Sequence, residues 1–173
     1  LGPAWMQLVE FCAGYYQRSI GEVALSVLPP ELRKLDDAQM ARRLERLQRS
    51  AEPPATDVGG ALPDLSDAQA AVLEKLAALP AGDTQPSLLQ GVTGSGKTEV
   101  YLRSAARTLQ QGRQVLVLVP EINLTPQLEA RFAERFVGRR LVSLHSALTP
   151  AQRLRHWLLA HLGLADLVDG IVV

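Results

Sequence analysis

Apolar positions recur at helical spacing from the start of the chain. Trp5, Leu8, Val9, Cys12, Tyr15 and Tyr16 fall at i, i+3, i+4 and i+7, which predicts a helix over 3–18. Residues 21–28 form a mostly apolar stretch closed by Pro29-Pro30. Over 36–49 a second helix is predicted, with Met40, Leu44 and Leu47 on one side and Arg42, Arg43, Arg46 and Arg49 on the other. Such an arginine face reads first as solvated surface and second as a phosphate contact. Between Ser50 and Pro63 the periodicity collapses into Pro53-Pro54, Gly59-Gly60 and Pro63 among alanines and acids, the composition of a linker.

The rest of the chain alternates. Ser66-Asp67-Ala68-Gln69 has the S-x-x-Q pattern of a capping box, and Ala68, Val72, Leu73, Leu76 and Leu79 continue it as a helical stripe. Residues 80–86 read as loop, and Ser87-Leu88-Leu89 as a short strand. Val100, Tyr101, Ala105 and Leu109 suit a helix ending before Gly112. The run 114–119 (QVLVLV), closed by Pro120, suits a strand buried on both faces. Thr125-Pro126 places threonine at N-cap and proline at N1 of a helix that buries Leu128, Phe132 and Phe136. A strand at 141–144 follows. Thr149-Pro150-Ala151-Gln152 then opens a helix through Leu154, Trp157 and Leu158. This order predicts an α/β fold with a parallel sheet and right-handed crossovers. Three parts result: a small, mainly helical segment over 1–49, a linker over 50–64, and the α/β domain over 65–173.

Composition narrows the classes. At 173 residues the chain can hold one domain with a real core, or a domain plus an appendage. Eighteen basic residues balance eighteen acidic ones, so only local clusters, such as the 42–49 arginines and Arg139-Arg140, can advertise a polyanion. The single cysteine, Cys12, excludes an internal disulfide and a cysteine-rich zinc site within the chain, and its apolar helical face predicts a buried, inert thiol. No apolar run reaches the roughly 18–20 residues of a membrane span and no secretory signal is visible, which predicts a soluble, cytoplasmic protein without a membrane partner. The first residue is leucine, which predicts a start inside a longer protein.

Gly91-Val92-Thr93-Gly94-Ser95-Gly96-Lys97-Thr98 fits G-x-x-x-x-G-K-[ST] at every fixed position. Closely spaced glycines let the backbone turn so that successive N–H groups point at phosphate oxygens, and the following helix adds the positive end of its dipole. Lys97 then reaches the β- and γ-phosphates, and the Thr98 hydroxyl holds Mg²⁺. ATP and Mg²⁺ are the expected ligands. Without a phosphate to bind, Lys97 has no evident role.

The strings GVTGSGKTEVYL (91–102), QVLVLVPEINLTPQ (114–127) and LHSALTPAQRLRHW (144–157) resemble the primosomal protein N′ family, bacterial replication-restart DNA helicases of superfamily 2. Residues 5–33, with YYQRSIGEV, resemble the end of that family's N-terminal DNA-binding domain. The resemblance covers most of residues 65–165. It implies a RecA-like P-loop motor lobe and a cytoplasmic, nucleoid-associated 3′→5′ DNA helicase. Such an enzyme recognises stalled forks and reassembles the primosome, with single-stranded and forked DNA, single-strand DNA-binding protein and other primosome proteins as partners. By position, Gly94, Gly96, Lys97 and Thr98 fall in helicase motif I. Pro120, Glu121, Thr125, Pro126 and Gln127 fall in motif Ia, which contacts single-stranded DNA, and His145 and Ser146 in the next DNA-facing motif. Gln69 falls where related helicases read adenine. Each role has a plainer counterpart: the capping box for Gln69, an N-cap for Thr125, an arginine pair for Glu121, a structural histidine for His145.

Departures from the family pattern are equally specific. Only the short linker around 50–63 stands where its winged-helix domain is expected, leaving that domain absent, unresolved or deleted, and its zinc-bearing cysteine-rich insertion and arginine finger lie in a second lobe not found here. After Ala165-Asp166-Leu167-Val168 the family continues into G-T-R-S and later D-E-E-H, whereas this chain reads Asp169-Gly170-Ile171-Val172-Val173. A segment is expected to be missing near 168–170, with 171–173 leading toward the second catalytic motif. The lobe is therefore expected to be incomplete, binding nucleotide weakly and hydrolysing it negligibly. The competing readings are another superfamily 2 fork-remodelling motor, a non-catalytic DNA-binding module, and a small-metabolite kinase, the last disfavoured by PEINLTPQ.

Overall fold

The computed structural model describes residues 2–50, 62–80, 85–119 and 125–171, with backbone alone at 125–128 and 169–171. Most of the predicted linker, Pro120, Glu121 and the last two valines lie outside the described residues.

Helix α1 (Pro3–Tyr16) opens with proline at N1, where no N–H is needed, and ends at Gln17 in the left-handed region (φ 51°). It packs on α2 (Ile20–Ser26), whose Ser19 cap accepts from the Glu22 amide. The predicted apolar face of α1 is only partly used. Val9 and Ala13 are buried, but Leu8, Tyr15 and Tyr16 are exposed and Cys12 is half-buried rather than enclosed. A seven-residue partner cannot cover a fourteen-residue apolar face. A 3₁₀ turn (Pro30–Lys34) leads to α3 (Asp37–Arg49), which starts with an Asp36–Gln39 capping box.

The α/β part runs α4 (Asp67–Ala77), α5 (Lys97–Gln110), β1 (Val115–Val119), α6 (Thr125–Arg135), β2 (Leu141–Leu144), α7 (Pro150–His161) and β3 (Leu167–Ile171). Both predicted capping boxes form, Ser66 with Gln69 and Thr149 with Gln152. Among the described residues the sheet is parallel, in the order β1-β3-β2.

Register decides which face each side chain covers, because residues paired across parallel strands point the same way. Val142 and Val168 are paired and share one core with Leu47, Leu154, Leu158, Leu159 and Ala165, against which Met40 and Leu44 of α3 pack. Leu167, with Val115 and Leu141 beside it, faces the opposite core of Leu102, Ala105, Leu109, Phe132 and Phe136. Cores thus lie on both faces of the sheet, but β1 is not buried on both, contrary to the reading of the run 114–119: Leu116 and Leu118 are exposed on one side, where no described element covers them. Asp166 joins the strands' entry points. It pairs with Arg139 at 3.0 Å and accepts the Arg140 amide at 2.8 Å, while Arg140 donates to the Ser50 carbonyl at 2.8 Å at the end of α3. The Arg139-Arg140 pair is therefore structural rather than a polyanion contact.

One expected strand does not form. Ser87–Leu89 is not a strand: the segment leaves the sheet unpaired and Leu88 is 92% exposed. A three-residue run gains few ladder bonds, and no element among the described residues covers Leu88. Strand β3 runs through 168–170, where the sequence departs from the family pattern.

Leu158→Ala is expected to cost about 2–5 kcal/mol by creating a cavity between α7 and the sheet. Leu116→Gln, on the open edge at 64% exposure, should change stability by about 0.5 kcal/mol or less. Urea titration of both variants checks the assignment of faces, and equal losses would contradict it.

Candidate nucleotide and DNA site

Residues 111–114 connect α5 to β1 through Gly112 (φ +70°), with the Arg113 amide returning to the Thr108 carbonyl at 3.2 Å. So short a connection makes α5 antiparallel to β1. The N-terminus of α5 accordingly lies at the C-terminal edge of the sheet, where open α/β sheets bind ligands. Gly94 (φ +82°) and Gly96 (φ +81°) both take the left-handed backbone that other residues adopt only under strain. The Ser95 amide turns back to the Val92 carbonyl at 3.2 Å. A Cβ on Gly91 would stand 2.7 Å from Ser95 Oγ, so a larger residue there would make the Ser95 hydroxyl turn away. The first amides of α5 have no partner within the helix, and the dipole adds positive potential at the same point. Thr93 and Ser95 are exposed on the loop.

Lys97 is occupied, contrary to the expectation that it has no role without phosphate. Its Nζ donates to the carbonyls of Gly91 at 2.7 Å and Val92 at 2.9 Å, closing the loop across its mouth. Thr98, half-buried, lines a groove of about 600 Å³ that runs between α5 and β1.

Gln69 is tied at both ends. Its Oε1 accepts from the Ser66 amide at 2.8 Å, and its Nε2 donates to the Gly96 carbonyl at 3.1 Å. The capping box therefore aims the same side chain at the phosphate loop from behind. A Cβ on Gly96 would sit 2.3 Å from that Nε2, a second reason for glycine there.

Glu99, one residue beyond Thr98, is the centre of a half-buried ion cluster. Its Oε1 accepts from Arg103 Nε at 2.8 Å and its Oε2 from Arg135 at 2.6 Å, with the Glu99 and Arg135 side chains each 13% exposed. Burial acts to raise the Glu99 pKa, but the hydrogen bonds and charges of Arg135 and Arg103 outweigh it and hold the carboxyl below its ordinary value. Arg103 also donates to the Pro63 carbonyl at 2.7 Å. The i,i+4 spacing of Glu99 and Arg103 is readable in the sequence. Arg135 is 36 residues from Glu99, and no local pattern announces it.

The DNA-facing candidates fall at the same edge. Thr125, Pro126 and Gln127 form the start of α6 after β1, with Thr125 inside the helix rather than at its cap, a one-residue difference at a helix end. Their side chains, like all of Glu121, lie outside the described residues. His145 and Ser146 follow β2. The His145 carbonyl accepts the Leu148 amide at 3.3 Å and the Ser146 carbonyl accepts from Arg153 at 3.2 Å, which fixes the turn into α7. Among the described residues, no group of three His, Cys, Asp or Glu side chains could hold a metal ion, so Thr98 is the metal candidate seen here. No helix among them is long and apolar enough to cross a membrane.

Residues 66–168, more than half of the chain, match the family model for the DEAD/DEAH box helicases, and the chain belongs to that family. It is 42% identical over 107 residues to the replication restart protein PriA of Bacillus subtilis, covering 61% of this chain and 13% of that one. To PriA of Haemophilus influenzae it is 54% identical over 83 residues, covering 48% and 11% of the two chains. Likeness to PriA of Rickettsia felis is 34% over 148 residues, covering 86% of this chain and 20% of the other. The chain thus spans no more than a fifth of these relatives.

Gln69→Ala removes a cap and a loop contact together and is expected to cost about 1–2 kcal/mol, read by chemical denaturation. Arg135→Gln should reveal the Glu99 pair through pH. A depressed carboxyl contributes stability that is full above its unfolded value of about 4.3 and is lost as pH falls through the folded one. The variant's deficit relative to wild type should therefore be largest near neutrality and shrink below about pH 4. A deficit independent of pH would contradict the pairing.

Proposed function

We propose that this chain is the nucleotide-binding part of an ATP-driven 3′→5′ DNA helicase that restarts replication at stalled forks by assembling the primosome. The observation that carries this reading is the glycine loop at 91–98, braced by Gln69, at the sheet edge where α6 and α7 also begin. Likeness to relatives named for replication restart supports the pathway. Forked and single-stranded DNA, single-strand DNA-binding protein and other primosome proteins are the partners this reading entails, in a cytoplasmic, nucleoid-associated setting. Among the described residues no cluster of side chains could hold zinc.

Under this reading the amides of residues 94–98 hold the phosphates of ATP. Lys97 exchanges the Gly91 and Val92 carbonyls for the β- and γ-phosphates, so loop opening and phosphate capture are one event. The Thr98 hydroxyl would hold Mg²⁺, which would supply charge neutralisation to the phosphates. Gln69 meets adenine through its remaining amide hydrogen while keeping the Gly96 carbonyl. The start of α6 at Thr125, Pro126 and Gln127 offers a helix terminus to a DNA phosphate, with Glu121, His145 and Ser146 beside the same strand. Hydrolysis further needs an acid to position water and an arginine finger, worth ~10³–10⁵ in rate. No D-E-x-H string occurs in the 173 residues. The isolated chain accordingly binds nucleotide but turns it over negligibly.

In the full-length protein, Lys97→Ala should abolish fork-stimulated ATP hydrolysis, by roughly a hundredfold or more, while fork affinity stays within about twofold. Unwinding that survives the substitution would overturn the reading. So would robust, Lys97-dependent hydrolysis by the 173-residue chain alone, as regards the incompleteness of the lobe.

A further inference from the structure

Glu99 and Arg135 are used by neither the phosphate loop nor the DNA-facing segments, yet they join the two. Glu99 lies in the first turn of α5, immediately after Thr98, and Arg135 in the last turn of α6. Each charge suits the helix end that carries it, negative at an N-terminus and positive at a C-terminus. The pair is half-buried and short, at 2.6 Å, so it holds one geometry rather than a family of them.

Its neighbours divide the labour. Phe132 and Phe136, at the C-terminal end of α6, pack against Leu102, Ala105 and Leu109 of α5. Apolar contact of this kind resists separation but permits small slides, because dispersion and burial are not directional. The ion pair supplies direction. The two carboxylate oxygens are also split by destination: Oε1 serves Arg103 and, through it, the Pro63 carbonyl ahead of α4, while Oε2 serves α6. Any shift of the first turn of α5 when Lys97 leaves the Gly91 and Val92 carbonyls displaces Glu99 and pulls on Arg135. Helix α6 is eleven residues long, about 16 Å, and carries a tilt at its C-terminus to Thr125, Pro126 and Gln127 at the other end.

Resting on the nucleotide-site reading above, we infer that the Glu99–Arg135 pair relays phosphate binding at the loop to the position of α6, with Arg135 as a positioning residue. Arg103 braces the loop side alone and is not part of the relay.

The test is hydrogen exchange in the peptide covering α6, with and without saturating Mg·ATPγS, on the full-length protein. A fluorescent ATP analogue measures affinity alongside. In wild type, nucleotide should change α6 exchange by about threefold or more. Arg135→Gln should bind nucleotide within about threefold of wild type yet lose the α6 response, Arg135→Lys should keep most of it, and Arg103→Gln should keep all of it. A response that survives in Arg135→Gln, or that fails equally in Arg103→Gln, overturns the relay. So does wild type that binds nucleotide with no change in α6. Wild type that binds no nucleotide sinks the nucleotide-site reading and the relay with it.

Discussion

The left-handed backbone at Gly94 and again at Gly96 is the constraint on which the nucleotide end of this molecule depends. Two such turns separated by one residue curl the loop and start α5 abruptly at Lys97. They also aim the Gly96 carbonyl backwards, where Gln69 reaches it from α4. The direction of α5 then follows, and with it the positions of Lys97, Thr98 and Glu99 on its first turn. Any side chain at 94 or 96 strains the backbone, and at 96 it also collides with the Gln69 amide.

The sheet supplies the other half of the frame. β3 is last in the chain but central in space, so β1 and β2 share no ladder until it arrives. Asp166, just ahead of it, gathers Arg139 and the Arg140 amide, and Arg140 in turn holds the end of α3. The N-terminal helical segment is thereby attached to the α/β part through α3, whose Leu47 is buried among α7 residues. On the opposite face, α5 and α6 share one core beside β1. This is the arrangement that brings Arg135 to Glu99.

Local signals were legible and long-range ones were not. The boxes at Ser66 and Thr149 carry their reason within a few residues and form as read, and the run at 114–119 yields a strand, though one with Leu116 and Leu118 exposed rather than buried on both faces. Asp36 and Gln39 follow the same box rule with aspartate in place of serine or threonine. Ser87–Leu89 reads as a strand by composition, yet a strand exists only against a partner, and composition is silent about partners. The apolar face of α1 likewise promises more burial than α2 can provide. Gln69 divided between cap and ligand in the sequence because both explanations use the same atoms. In the structure the cap is formed and the free end rests on the loop. Glu99–Arg135 depends on two helices docking, which periodicity alone does not specify. Arg139-Arg140 looked like surface charge because its acidic partner, Asp166, lies 27 residues further on.

The central claim, that phosphates are held by the backbone at 94–98, is most directly tested by NMR of the ¹⁵N-labelled chain titrated with Mg·ADP. The account predicts that the largest amide shifts map to Gly94, Ser95, Gly96, Lys97 and Thr98, with the Gln69 side-chain amide moving alongside them. Shifts scattered over the surface, or concentrated away from this loop, would contradict it.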